Sequence, residues 1–204
     1  MISNHLSETI SLIADFYDSY KVGYEGTKGY RKSTDLAKLS KCINEIVSLG
    51  LIGKDRTIFA DLGCADGRVN IMMSYFVKIS IGIEIESDFL SEFKPRKISL
   101  ISELKKRNLI LPPENIALFP GNSLESSTYK RILTNIGVSF EDIDLFYTYI
   151  TLHDLFAEKI AKEAKNQALY LVYGFNKVLP QYKGLKLHIP DLASQGIAAL
   201  YIKE

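Results

Sequence analysis

The run Thr57-Ile-Phe-Ala-Asp-Leu-Gly-Cys-Ala-Asp-Gly-Arg68, followed by Ile81-Gly-Ile-Glu-Ile85, constrains the fold of this chain more than any other feature. Ile58, Phe59 and Ala60 form a short apolar run entering a turn, and Val69 to Val77 continue with apolar residues at helical spacing. The glycines therefore sit between a strand and a helix. Gly63 and Gly67 can take positive φ or let a ligand approach the backbone closely. A second strand, Ser80 to Ile85, places Glu84 at its carboxyl end, where a carboxylate can accept hydrogen bonds from both hydroxyls of a ribose. A strand, a glycine turn and a second strand ending in an acid describe a nucleoside-binding crevice.

A dinucleotide fold uses G-x-G-x-x-G, so that a helix N-terminus meets a pyrophosphate. This chain reads instead Asp61-x-Gly63-x-Ala65-x-Gly67, and an acid ahead of the first glycine repels phosphate and suits a cation. That pattern, with Gly-Ile-Glu-Ile after it, resembles the Rossmann-like (class I) S-adenosylmethionine-dependent methyltransferases, whose cofactor carries an ammonium and a sulfonium and no phosphate. The resemblance implies that Asp61 supports the methionine end and that the turn Gly63, Cys64, Ala65 to Gly67 lies along the cofactor. It also implies that Glu84, with Ile85 after it, binds the ribose. Ala65 departs from the family, which often has glycine there. A third strand, Asn115 to Phe119, runs into Pro120-Gly-Asn-Ser-Leu124, where the family commonly has an acid that meets the adenine amino group. Asn122 stands in that place with Ser123 beside it. An amide oxygen can still accept that hydrogen bond, and the same residue also reads as a simple turn former after Gly121.

From Thr57 onward strand and helix patterns alternate, the sequence form of a mostly parallel sheet covered on both faces. Helices are expected at Glu86 to Asn108, with an irregularity at Pro95, at Leu124 to Gly137 and at His153 to Asn166; strands are expected at Asp142 to Thr148 and Ala168 to Gly174. Between Asn176 and Gly184, which holds Pro180 and lacks amphipathic spacing, the next helix is expected to be missing or very short. Leu185 to Ile189 and Ile197 to Ile202 read as a terminal antiparallel hairpin with a long connection. This ending resembles the seven-stranded methyltransferase sheet, an α/β three-layer sandwich whose last strand is antiparallel. We expect a core over 57–204 and an N-terminal helical extension over 1–56, with helices at Ser7 to Tyr20 and Asp35 to Leu49. Between those helices the loop Lys21 to Ser33 is a candidate lid, in which Tyr24 and Tyr30 cover the methionine end and Arg31 or Lys28 pairs with its carboxylate; its bland alternative is a solvated connector. Arg68, on a first helical turn, is expected to face solvent.

The acceptor side is expected at the end of the fourth strand, Asp144-Leu-Phe-Tyr-Thr-Tyr-Ile-Thr-Leu-His-Asp154. The Asn/Asp-Pro-Pro-Tyr signature of nucleic-acid base amino methyltransferases is absent from it. Methyl transfer from a sulfonium is an in-line displacement that needs alignment above all, and a base only when the acceptor arrives protonated. Tyr147 and Tyr149 can orient an amine or receive its cationic form, and His153 can remove a proton; each also has a structural reading, in the core or at a helix start. The motif order resembles a subset of the family that includes protein-lysine methyltransferases of the non-SET type. The expected function is methyl transfer to an amine or hydroxyl of a protein side chain or small molecule, with a catalytically inactive binding module as the alternative. A formal net charge of +1 gives no support to a nucleic-acid partner. Cys42 and Cys64 show neither metal-ligand spacing nor a disulfide framework, so no metal is expected and a reduced cytoplasm is the expected setting. No stretch reaches membrane-spanning length.

Overall fold

The computed structural model describes residues 3–20, 23–26, 29–175 and 178–204, with the backbone alone for 23–26 and 29–32. Helices α1 (Asn4–Asp18) and α2 (Leu36–Ser48) come first. Each is amphipathic at helical spacing: Ile10, Ile13 and Tyr17 are buried on α1, and Leu36, Leu39, Ile43 and Ile46 on α2. Ser3 and Asp35 cap them by accepting from Leu6 N and Lys38 N. The Asp18 carboxylate at the end of α1 accepts from Leu36 N and Ala37 N at 3.0 and 3.1 Å. One acid thus satisfies two of the free donors of α2 and ties the end of α1 to the start of α2. The segment expected as a loop between them holds an antiparallel pair, β1 (Gly23–Gly26) and β2 (Gly29–Lys32), with Tyr24 opposite Arg31.

The remaining elements are β3 (Ile58–Leu62), α3 (Arg68–Met73), β4 (Ile79–Glu84), α4 (Ser87–Ser91), α5 (Phe93–Lys106), β5 (Ile116–Pro120), α6 (Ser126–Ile136), β6 (Leu145–Tyr149), α7 (His153–Glu163), β7 (Leu169–Tyr173), β8 (Leu185–Ile189) and β9 (Ala198–Lys203). The sheet runs β5-β4-β3-β6-β7-β9-β8. All neighbours are parallel except that β9 lies antiparallel between β7 and β8. This is a seven-stranded Rossmann-like methyltransferase sheet, with helices on both faces. β3, β4, β6 and β7 are buried almost throughout, which is why they read as continuous apolar runs and not as alternations. Phe59, Tyr147, Leu171 and Leu200 face one layer, with α1, α2, α3 and α5; Ala60, Phe146, Val172 and Ala199 face the other, with α6 and α7.

Over residues 86–108 two expectations change. The single helix over 86–108 is two, broken at Glu92. Pro95 is no irregularity, because it lies in the first turn of α5, where its missing N–H has no helical partner to lose. The chain passes from β3 outward to β5 and then returns to β6 on the other side of β3. A crevice opens where strand order reverses, at the carboxyl ends of β3, β4 and β6.

Gly82 on β4 lies beside Asp61 in register, and a Cβ there would stand 2.5 Å from Leu118, 2.6 Å from Asn70 Oδ1 and 2.8 Å from the Cys64 sulfur. The strand can approach the glycine turn and α3 only without a side chain. Gly82→Ala should therefore cost about 1–3 kcal/mol by overpacking and lower the melting temperature by several degrees, as thermal denaturation would record. An unchanged melting temperature would show that the three neighbours can move aside.

Candidate functional site

A cavity of about 500 Å³ lies at this reversal of strand order. Its walls include Asp61, Gly63, Cys64 and Ala65 from β3 and the turn, Glu84 and Ile85 from β4, Asn122 and Ser123 after β5, and Tyr147 and Tyr149 from β6. The residues singled out in the sequence thus converge, apart from Gly67 and His153. Gly67 does its work behind the wall: its φ of 70° starts α3, and a Cβ there would meet the Phe93 ring at 2.6 Å. Ala65 holds a φ of 49°, a left-handed conformation that costs an alanine more than the glycine the family favours there.

Glu84 is oriented before any ligand arrives. One carboxylate oxygen accepts from Ala65 N at 2.8 Å and the other from Glu86 N at 2.9 Å. The side chain is buried to 7% exposure, so the remaining lone pairs have one rotamer from which to receive a pair of hydroxyls. Asn122 behaves as a turn residue: its Oδ1 accepts from Leu124 N at 2.9 Å and its Nδ2 reaches Glu125 at 3.3 Å. Ile85, half exposed, offers an apolar face beside Glu84.

Asp61 is different in kind. It is 2% exposed, its Oδ1 has no hydrogen-bond partner, and no ion pair reaches it among the described residues. Burial, then the charges of Glu84 and Asp66, push its carboxyl well above the usual carboxylate range. Beside it in register, Tyr147 has its hydroxyl 2.7 Å from the Thr34 hydroxyl, and burial and Asp61 keep that phenol protonated. The Cys64 thiol is likewise pushed up by burial and Asp61, so this cysteine is an apolar wall and not a nucleophile.

Several wall residues escape the sequence reading. Ser33 and Thr34, which follow β2, border the cavity, and Thr34 meets Tyr147. Nothing in their spacing marks them. Arg68 does not face solvent: it is 4% exposed. Its Nε and Nη2 reach the fully buried Asp66 at 3.0 and 2.9 Å, Arg96 closes on the same carboxylate, and its outer nitrogens donate to the carbonyls of Tyr17 and Tyr20. A guanidinium thus ties the glycine turn to the carboxyl end of α1, where it also meets the negative end of the helix dipole. Of the candidate lid, Lys28 lies outside the described residues, as do the side chains of Tyr24, Tyr30 and Arg31.

His153 is not among the lining residues. Its Nδ1 stands 2.7 Å from the Tyr182 hydroxyl and 3.1 Å from Asp154, and its ring packs on Phe175. It pins the segment after β7 onto α7. Tyr149 does line the cavity, with its ring edge packed so closely over Gly174 that a Cβ there would come within 2.8 Å.

Because the Asp61 carboxyl is raised in the folded chain, the ligand-free fold is most stable where Asp61 is protonated. It loses stability as pH rises from the ordinary carboxylate range toward that raised value, and no more above it. Asp61→Asn keeps the shape and cannot ionise. We expect its margin over the parent to be small at pH ~4, where Asp61 is protonated in the folded chain and only partly ionised in the unfolded one, and to grow to roughly 1–3 kcal/mol at pH ~8. Thermal melts at both pH values test this; a difference that is equal at both would count against a buried, unpaired Asp61.

No protein-family model matches the chain, and no curated protein matches it in sequence. Solved structures do match. The rRNA methyltransferase aviRa from Streptomyces viridochromogenes is similar over 97% of this chain and 92% of its own, at 9% identity and a TM-score of 0.58. A mutant of the protein MtNAS is similar over 98% of this chain and 72% of its own, at 8% identity and a TM-score of 0.55. The Escherichia coli protein yhhF, described as a methyltransferase, is similar over 81% of this chain and 86% of its own, at 14% identity and a TM-score of 0.50. At such identities the likeness speaks for the fold: the chain has the fold of the Rossmann-like methyltransferases.

Proposed function

We propose that this chain is an S-adenosylmethionine-dependent methyltransferase that acts on an amine or hydroxyl of a protein side chain or small molecule. The observation that carries the reading is the pair of buried carboxylates in one crevice. Glu84 is fixed by two backbone N–H groups where a ribose would lie, and Asp61 has an oxygen without a partner where a cationic methionine end would lie. The residues fit such a group, which when bound supplies an electrophilic methyl. The fold shared with aviRa and yhhF, both described as methyltransferases, supports the same reading.

The work of the chain's own residues is then alignment and exclusion of water. Glu84 and Asp61 hold the two ends of the cofactor. Tyr147, braced by Thr34, sets the wall between cofactor and acceptor. Tyr149, with Leu152 and Phe156, forms a neutral and largely apolar approach for the acceptor. Among the described lining residues, Asp61, Glu84 and Asp88 are acids, and the one cation, Arg68, is spent on Asp66. Such a wall repels a polyphosphate and favours a neutral or cationic acceptor. A nucleic-acid acceptor is the second reading, supported by aviRa, described as an rRNA methyltransferase.

Calorimetric titration with S-adenosylmethionine and S-adenosylhomocysteine, with NAD as control, tests the cofactor. Saturable binding of the first two is expected, and a loss of at least about tenfold in Glu84→Ala. A folded sample that binds neither would leave a methyltransferase fold used for another purpose. With a turnover assay in hand, screening amines, peptides and RNA as acceptors, we expect Tyr149→Ala to lower kcat/KM for the acceptor about tenfold with cofactor affinity unchanged. A parallel fall in cofactor affinity would place Tyr149 on the wrong side of the site.

A further inference from the structure

We propose that Arg68 is a positioning residue that couples the N-terminal helices to the cavity: through it, docking of α1 and ordering of the glycine turn around a cofactor stabilise one another. This rests on the reading of the cavity as an S-adenosylmethionine site. It goes beyond that reading by giving a role in binding to α1, none of whose described residues lines the cavity.

Asp66 lies in the glycine turn between Ala65 and Gly67, both left-handed, with φ of 49° and 70°. A turn of that shape persists only where its surroundings hold it. On one side Ala65 N is bound to Glu84; on the other the Asp66 carboxylate, fully buried, is gripped by Arg68 and Arg96. Arg68 donates to it through Nε at 3.0 Å and Nη2 at 2.9 Å. The same guanidinium reaches away from the turn as well. Nη1 meets the Tyr17 carbonyl at 3.2 Å and Nη2 the Tyr20 carbonyl at 3.5 Å, at the carboxyl end of α1 and the negative pole of its dipole. Arg68 also stands 5.6 Å from the centre of the Tyr17 ring, and Arg96 5.2 Å from that of Tyr20. The buried Tyr17 hydroxyl has no hydrogen-bond partner, so Tyr17 acts here through its carbonyl and its ring face.

With α1 docked, the Asp66–Arg68 pair is covered and kept from water, where a charge-assisted bond is strong. With α1 parted from it, Arg68 loses two acceptors, the pair meets solvent and screening, and the left-handed turn loses one of its two holds. α1 packs chiefly against α2, with smaller contacts to α3 and α5 and no strand among its main neighbours. It can therefore leave the turn without unpairing the sheet. A cofactor lying along the turn favours the conformation that docked α1 favours, and by reciprocity the docked helix raises cofactor affinity. Arg68 carries the link more than Arg96, which meets the Tyr20 ring but no described carbonyl of α1 and is shared with Glu92. A second tie, from Thr34 to Tyr147, joins the N-terminal segment to the cavity wall but not to the turn.

The test uses the whole chain, S-adenosylhomocysteine as probe, and amide hydrogen exchange read along α1. Saturating probe should slow exchange of the amides from Ile13 to Asp18 at least about fivefold in the parent, although none of them lines the cavity. Arg68→Lys keeps the charge beside Asp66 but cannot bridge to both carbonyls at once. In that variant, at saturation, exchange of α1 should no longer respond to the probe, amides from Gly63 to Ala65 should still respond, and affinity should fall about tenfold. A merely structural Arg68 would lower protection of α1 with and without probe alike and leave the response intact. Tyr147→Phe, which cuts the tie to Thr34, should keep the response. If Arg68→Lys shows no melting transition, Asp66→Asn, which keeps the shape of the turn and removes the charge that Arg68 grips, should lose the response in the same way. No response in the parent, a response that persists in the arginine or aspartate variant, or one lost in Tyr147→Phe would each overturn the proposal while leaving the cofactor reading intact. Failure of the probe to bind the folded parent would remove that reading and the proposal with it.

Discussion

The architecture of the crevice depends on how closely one strand approaches one turn. Ala65 N can donate to the Glu84 carboxylate only because β4 lies against the glycine turn, and β4 can lie there only because Gly82 has no side chain between Leu118, Asn70 and Cys64. The bond does two things. It satisfies a backbone donor in a turn that bends too sharply to use it within a helix or sheet, and it fixes an acid that would otherwise rotate among solvent-facing positions. A left-handed Ala65 is the local cost, kept because the N–H points to Glu84 in that conformation. Turn, strand end and acid thus form one unit, and the cavity takes its shape from it.

Around this unit the chain concentrates acids and distributes their compensation unevenly. Glu84 is satisfied by backbone and Asp66 by two arginines, while Asp61 is left over. The arginine that neutralises Asp66 also holds α1 through the carbonyls of Tyr17 and Tyr20, and the tyrosine beside Asp61 meets Thr34, between β2 and α2. The N-terminal segment is thus tied to the glycine turn at the end of α1 and to the cavity wall at Thr34. α1 and α2 bury their apolar faces in the same cluster as β3, β6 and β7, so the N-terminal helices are part of the main core.

Much of this was legible in the sequence, for identifiable reasons. Buried parallel strands read as apolar runs, and Asp61, Gly63 and Glu84 sit at fixed distances from strand ends, so local pattern alone brings them together. The positions of Arg68 and His153 were not legible, because each depends on a partner far away in the chain: Tyr17 and Tyr20 for the first, Tyr182 for the second. A first-turn arginine usually faces water, and only packing of α1 over it makes it a buried clamp. Ser33 and Thr34 carry no periodic signal, so their place in the wall is known only from the fold. The break at Glu92 escaped for the opposite reason: the helical pattern runs through it, and Pro95, the visible breaker, is harmless where it stands.

The position of β9 has a consequence for how such a chain is made. β9, residues 198–203, lies between β7 and β8, so the strand formed from residues 185–189 has no partner in the sheet until those later residues leave the ribosome. Until then β7, buried on both faces in the finished protein, presents an open edge of Leu, Tyr and Val side chains and unpaired backbone. A released chain ending near residue 190 would hold most of the crevice and yet carry an adhesive border, the state in which chaperone engagement or self-association is most favoured.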